Sequence, residues 1–221
     1  MTHAAKPPPR VTIAESGSNP NGSTTSRTSE YLSRVHDRRG ELRTSLGKLL
    51  SEIQTITWEI GCGHGHYLTA YSSAHPLEMC IGVDIARDRI ARATRKRNRA
   101  KLSQLHFMVA NARDFLDTLP PQIELARIFV LFPDPWPKRR HHKNRLLEPK
   151  FLKDLAERSG KGTRLYFRTD YKPYFSEVSS MLSSDLKWEV IDEPWPFELE
   201  TVFQSRASSY HSLTAALKAA S

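Results

Sequence analysis

The sequence predicts an α/β fold built on a mostly parallel sheet, and three observations carry that prediction. From Ile56 onward, short apolar runs alternate with longer polar or amphipathic stretches, the pattern of strands joined by crossover helices. A segment with three closely spaced glycines, Gly61, Gly63 and Gly65, falls between the first strand and the first helix of that alternation. An acidic residue, Asp84, ends the next strand at about 20 residues' distance, the spacing at which a carboxylate meets ribose hydroxyls in nucleotide-binding sheets.

Taken in order, the strands are expected at Ile56 to Ile60, Met79 to Val83, His106 to Val109, Ile128 to Phe132 and Arg164 to Phe167, with weaker candidates at Trp188 to Ile191 and Val202 to Arg206. These make a seven-stranded sheet. Helices at Tyr67 to Ser73, Ala86 to Ala100, Glu148 to Arg158 and Tyr171 to Leu182 would cover both of its faces. The stretch from Met1 to Ser29, with Pro7, Pro8 and Pro9 followed by Ser, Thr, Asn and Gly, has too few large apolar groups to offset its ordering entropy and reads as a flexible tail. Residues 30–221 then form a single domain, a size that needs no disulfide or metal staple.

Composition narrows the partners. The formal charge of +9 favours a polyanion. Cys62 and Cys80 alone make neither a disulfide framework nor a zinc site, which fits a reducing cytoplasm, and no metal is expected. No apolar run reaches the length of a membrane-spanning helix, so no membrane partner is expected.

The loop Glu59-Ile60-Gly61-Cys62-Gly63-His64-Gly65 has glycines where a backbone must take positive φ or come close to a ligand. With Asp84 it points to a nucleoside-containing cofactor. Its third glycine follows after one residue, where a dinucleotide fingerprint needs two. The competing reading is a tight strand-to-helix turn with a capping carboxylate. Cys62 reads as a small packed residue, and His64 and His66 as solvated or hydrogen-bonded groups.

After the fourth strand comes Phe132-Pro133-Asp134-Pro135-Trp136-Pro137-Lys138-Arg139-Arg140-His141-His142-Lys143-Asn144-Arg145. Its prolines exclude a helix at the start, stiffen a loop that places Asp134 at the cofactor edge, and send cations outward. Such a run is either a solvated charged loop or a nucleic-acid contact. Trp136 offers a face for an unstacked base, or packs against its neighbours.

The glycine loop resembles motif I of class I methyltransferases, and the phrase from Phe132 to Lys143 is similar, nearly letter for letter, to the signature of the bacterial tRNA (guanine-N7)-methyltransferases. That resemblance, from Glu59 to about Arg206, implies a Rossmann-like fold and S-adenosyl-L-methionine as cofactor. It implies that Glu59, Gly61, Gly63, Gly65, Asp84, Asn111 and Asp134 hold the cofactor and that Asp134 is the catalytic acid. Lys138, Asp170, Thr201 and Gln204 would bind the substrate, the variable-loop guanine of tRNA. Asn111 and Gln204 depart from the family, which usually has Asp and Glu there, and Tyr31 to Leu50 lacks its usual arginine and glutamine pattern.

Guanine N7 has a lone pair and no proton to lose, so positioning matters more than a base, and Asp134 would act on developing charge. Asp170 would read the Watson–Crick edge, unless it is a strand-end cap. The arginine-rich helix from Arg87 to Lys101 is either an accessory phosphate surface or a solvated face. No protein partner is expected, and a monomer would suffice. The alternatives are a degenerate fold of this class that binds RNA without activity, and a methyltransferase of another substrate.

Overall fold

The computed structural model describes residues 22–52, 55–199 and 209–218. The chain divides into two compact units, Met1–Arg38 and Arg39–Ser221. Thr201, Gln204 and the strand expected at Val202 to Arg206 lie outside the described residues.

The described part of the first unit belongs to helix α1 (Gly22–Leu49). Helix therefore begins inside the stretch read as a tail, while residues 1–21 lie outside the described residues. In the second unit the helix continues with Leu42, Leu46 and Leu49, which with Leu50 just past its end are spaced as one apolar face, and both Leu46 and Leu50 are fully buried.

The second unit then runs β1 (Thr55–Ile60), α2 (His66–Ala74), β2 (Cys80–Asp84), α3 (Arg87–Ala100), β3 (Leu105–Val109), α4 (Ala112–Thr118), β4 (Glu124–Leu131), α5 (Pro149–Glu157), β5 (Ser159–Thr169), α6 (Lys172–Ser184), β6 (Trp188–Ile191) and β7 (His211–Leu217). The strands form one sheet in the order β3-β2-β1-β4-β5-β7-β6. The pairs from β3 to β5 are parallel, and β7 is antiparallel to both β5 and β6. Chain order reverses between β1 and β4, so the carboxyl end of β1 is the crevice where such sheets bind ligands.

Alternation of side chains along the strands makes two cores. Ile56, Trp58 and Ile60 of β1 share one with Phe115 of α4, Phe151 and Leu155 of α5 and Val178 of α6. Phe129 of β4 and Tyr166 of β5 share the other with Tyr67, Leu68 and Tyr71 of α2 and Ala93 of α3. Each fully buried large side chain contributes about 1.5–3 kcal/mol. Helices thus cover both faces. No described helix is long and apolar enough to cross a membrane.

The sheet has the seven strands expected, but the described seventh is His211–Leu217, beyond the stretch proposed for it. Its Leu213-Thr214-Ala215-Ala216 core is small and helix-prone, and pairing on both sides with β5 and β6 overrides that propensity. Helix α4 has no counterpart in the sequence reading. It holds seven residues, too few for a periodic signal.

Candidate active site

Because β1 to β5 are parallel, Glu59, Asp84, Asn111, Asp134 and Asp170 all come to one edge of the sheet. The glycine loop opens that edge. Gly61, Gly63 and Gly65 have φ of 72°, 52° and 66°, a region costly for any side chain. A Cβ on Gly61 or Gly63 would meet only open space, whereas one on Gly65 would stand 2.5 Å from the Phe107 ring. Two glycines thus leave room above the backbone, and the third lets α2 pack on β3.

Asp84 fixes the loop. One carboxylate oxygen accepts the Gly63 N–H at 3.1 Å and the other the Ala86 N–H at 2.8 Å, with Arg89 at 3.6 Å. A carboxylate accepts about four hydrogen bonds, so capacity for hydroxyls is left. Beside it, Ile85 is 75% exposed, an apolar surface at the edge that the sequence reading passed over.

Glu59 is buried, and its Oε2 has no hydrogen-bond partner among the described residues. Burial pushes its carboxyl up to about 8, against the pull of a Leu68 backbone hydrogen bond. Cys62 is buried as well, and desolvation pushes its thiol up, which leaves a packed group rather than a nucleophile. Asn111 caps α4, where its side chain accepts the Asp114 N–H at 2.8 Å and donates to the Asp114 carboxylate. That carboxylate also receives Arg39. The departure at 111 is therefore a good N-cap, whatever else it touches.

Asp134 is exposed and, among the described residues, makes no hydrogen bond or ion pair. It is bracketed by Phe132 and Trp136, bulky residues with φ of 49° and 45°. Backbone held in this region costs about 1–2 kcal/mol per residue, a strain found at functional loops. Trp136 is half-buried, with the His141 ring edge-on at 5.8 Å.

The basic run does not all face outward as expected. Arg145 is 3% exposed, donates to the Pro135 carbonyl at 2.9 Å, pairs with Glu177 and lies over the Tyr174 ring at 4.8 Å. It folds the loop back onto α6. Lys138, Arg139 and Lys143 are exposed and have no ion pair among the described residues.

Asp170 is exposed just past β5 and makes no cap bond among the described residues. Two residues earlier, Arg168 was overlooked in the sequence. It is 3% exposed, lies 3.8 Å over the Trp195 ring, and donates to Glu198 at 2.6 Å and to the Ser212 hydroxyl at 2.9 Å. Tyr67, just past the glycine loop, donates to the Phe197 carbonyl and accepts from the Trp195 indole, both at 3.2 Å. These bonds tie residues 195–198 to the site. A cation in a strand that otherwise reads Leu-Tyr-Phe was the signal available.

A Rossmann-like sheet with antiparallel β7, a glycine loop at its switch point and an acid after β2 define a class I methyltransferase fold. The chain belongs to the family described as "Putative methyltransferase", which matches residues 53–216. Its curated relatives include the tRNA (guanine-N(7)-)-methyltransferase of Caulobacter vibrioides, 32% identical over 145 residues, covering 66% of this chain and 64% of that protein. The protein of the same name from Thermosynechococcus vestitus is 30% identical over 157 residues, covering 66% and 72%. The chain thus spans about two thirds of the length of these relatives.

Among solved structures, the 16S rRNA methyltransferase KamB aligns with a TM-score of 0.56 at 17% identity over 78% of this chain and 92% of that one. A precorrin-6y C5,15-methyltransferase from Geobacter metallireducens aligns at 0.51 and 14% over 81% and 87%. At such identities the likeness is one of fold.

The family's cofactor is S-adenosyl-L-methionine, and the residues fit it. A buried Glu59 carboxylate with one oxygen unpartnered among the described residues suits an ammonium group, the open space over Gly61 and Gly63 suits close approach, and Asp84 beside exposed Ile85 suits a ribose and its base.

Proposed function

We propose that this chain is a tRNA (guanine-N7)-methyltransferase that modifies the variable-loop guanine. The observation that carries the reading is the loop after β4. It holds an exposed carboxylate, Asp134, in a strained backbone at the same sheet edge as the glycine loop, and continues into the exposed cations Lys138, Arg139 and Lys143, none of them in an ion pair among the described residues. The names of the relatives supply tRNA guanine N7 as the substrate, and the resemblance of the Phe132 to Lys143 phrase supplies the variable loop.

In this reading Glu59, Gly61, Gly63, Gly65, Asp84 and Asn111 hold the cofactor. When bound, S-adenosyl-L-methionine supplies a methyl group carried on a positively charged sulfur. Guanine N7 has an in-plane lone pair and no proton, so the protein need not supply a base. Its contribution is alignment, which turns an encounter into an intramolecular step. Asp134 stabilises the positive charge that grows on the purine, and water exclusion strengthens that effect. Asp170 accepts from the guanine's Watson–Crick edge, with Thr201 and Gln204 as further substrate contacts. Lys138 and its neighbours hold phosphates and offset the cost of exposing the base. The polypeptide acts as a cytoplasmic monomer without a protein partner.

Transfer of labelled methyl to unmodified tRNA tests this. The native protein should label tRNA, and Asp134→Ala should lose most of the rate while still binding cofactor. RNA binding without transfer by the native protein would instead identify a degenerate binding module.

A further inference from the structure

We infer that a cationic groove between the glycine loop and α3 is a second binding surface for the phosphodiester backbone of RNA, separate from the loop after β4. The inference rests on the reading of the substrate as RNA. The groove has a volume of about 530 Å³ and is lined by His64 and His66 on one side and by Arg92, Arg95, Lys96 and Arg99 of α3 on the other.

The cations are ordered. Positions 92, 95, 96 and 99 follow the spacing of one helix face, which makes a stripe about 10 Å long, enough for more than one phosphate. Arg92, Arg95 and Arg99 are exposed and pair with no carboxylate among the described residues. Asp88 is the only acid in α3; it lies in the first turn, one turn before Arg92 on the same face, so it closes the N-terminal end of the stripe and leaves Arg95, Lys96 and Arg99 with no acid within a turn of them on the helix. The Lys96 ammonium donates to the His64 carbonyl at 3.0 Å, which joins the stripe to the glycine loop.

A merely solvated helix face would spread its like charges into water. Here they are gathered. Burial, and then the charge of Arg99, holds the Lys96 ammonium below its ordinary range. Burial, then Lys96 and His64, does the same to the His66 imidazole. Like charges at these helical spacings oppose the helix, and a bound anion relieves them. The lining has no apolar or aromatic group beyond the two imidazoles, so it suits a phosphate backbone rather than an unstacked base or an apolar peptide anchor.

The test is the salt dependence of tRNA binding by the native protein and by the triple variant Arg92→Ala, Arg95→Ala, Arg99→Ala. Alanine at exposed helix positions preserves the fold, and unchanged S-adenosyl-L-methionine binding verifies that. The slope of log affinity against log salt should fall by about 2 to 3 in the variant, with weaker binding at low salt. An unchanged slope and affinity would overturn the inference, as would equal binding of polyglutamate lost equally in the variant. Binding and methyl transfer separate the two claims. A groove-dependent slope without methyl transfer leaves the groove standing and removes the catalytic reading, while transfer with an unaltered slope does the reverse.

Discussion

The Arg168 guanidinium carbon lies over the indole of Trp195, 3.8 Å from the ring centre. The pair joins the end of β5, two residues before Asp170, to the segment bearing Glu198. Arg168 is buried and Trp195 half-buried, whereas the Glu198 side chain is 61% exposed and adds little.

Loss of the stacked cation should therefore dominate. Arg168→Ala is expected to lower stability by about 2 kcal/mol, and Arg168→Lys to recover only part, since lysine lacks the flat fork. Urea unfolding checks the stability. As a positioning residue for the 195–198 segment, Arg168 should change KM for tRNA more than kcat.

The glycines of the loop separate by cause. Gly61→Ala meets open space and costs the backbone strain alone, about 1–2 kcal/mol, while its Cβ intrudes on the cofactor side. Gly65→Ala adds a clash with Phe107 and Ala93, worth about 1–3 kcal/mol more. Melting should rank Gly65→Ala below Gly61→Ala. The opposite ranking would show that the loop relaxes freely at position 65.

Much of this site was legible because its chemistry is tied to local signals. Glycines that need positive φ, an acid closing β2 and a proline-bounded basic run announce themselves within a few residues. The strands from β1 to β5 were visible for a similar reason, since parallel strands read as apolar runs, while antiparallel, edge-lying β6 gave the weaker signal. What escaped depends on partners distant in sequence. Arg168 gains its meaning from Trp195 and Glu198, Arg145 from Glu177, and β7 from strands on either side. The end of helix α1 carried a readable signal in Leu42, Leu46 and Leu49, continued by Leu50 just beyond it and obscured by the charged residues between them.

Glu59 should give the protein a pH signature. Its folded value, about 8, lies above the ordinary carboxyl value of 4.5, so the stability associated with the protonated acid is complete below about 4.5 and is lost as pH rises through about 8. Glu59→Gln removes that loss. Relative to native, the variant should gain stability as pH rises across this window, by at most about 1.4 kcal/mol for each pH step of one. Cofactor that sets its ammonium against Glu59 favours the ionised form. Its binding should release a proton and tighten toward pH 8 in the native protein but not in the variant, which calorimetry in two buffers can read.

Two basic residues of one loop should fail differently. Arg145→Ala removes a buried pin of the loop and should cost about 2–4 kcal/mol, less than a fully buried pair because Glu177 is 41% exposed. The Lys138 side chain is exposed and has no ion pair among the described residues, so Lys138→Ala should leave melting unchanged while it weakens tRNA binding. Thermal unfolding beside a filter-binding titration distinguishes them.

The most direct test of the central claim is nucleoside mass spectrometry of tRNA incubated with the protein and S-adenosyl-L-methionine, with a second transcript in which the variable-loop guanine is replaced. N7-methylguanosine in the first and none in the second is the predicted result. Methylation that persists in the second transcript, or falls on another atom, would contradict the assignment.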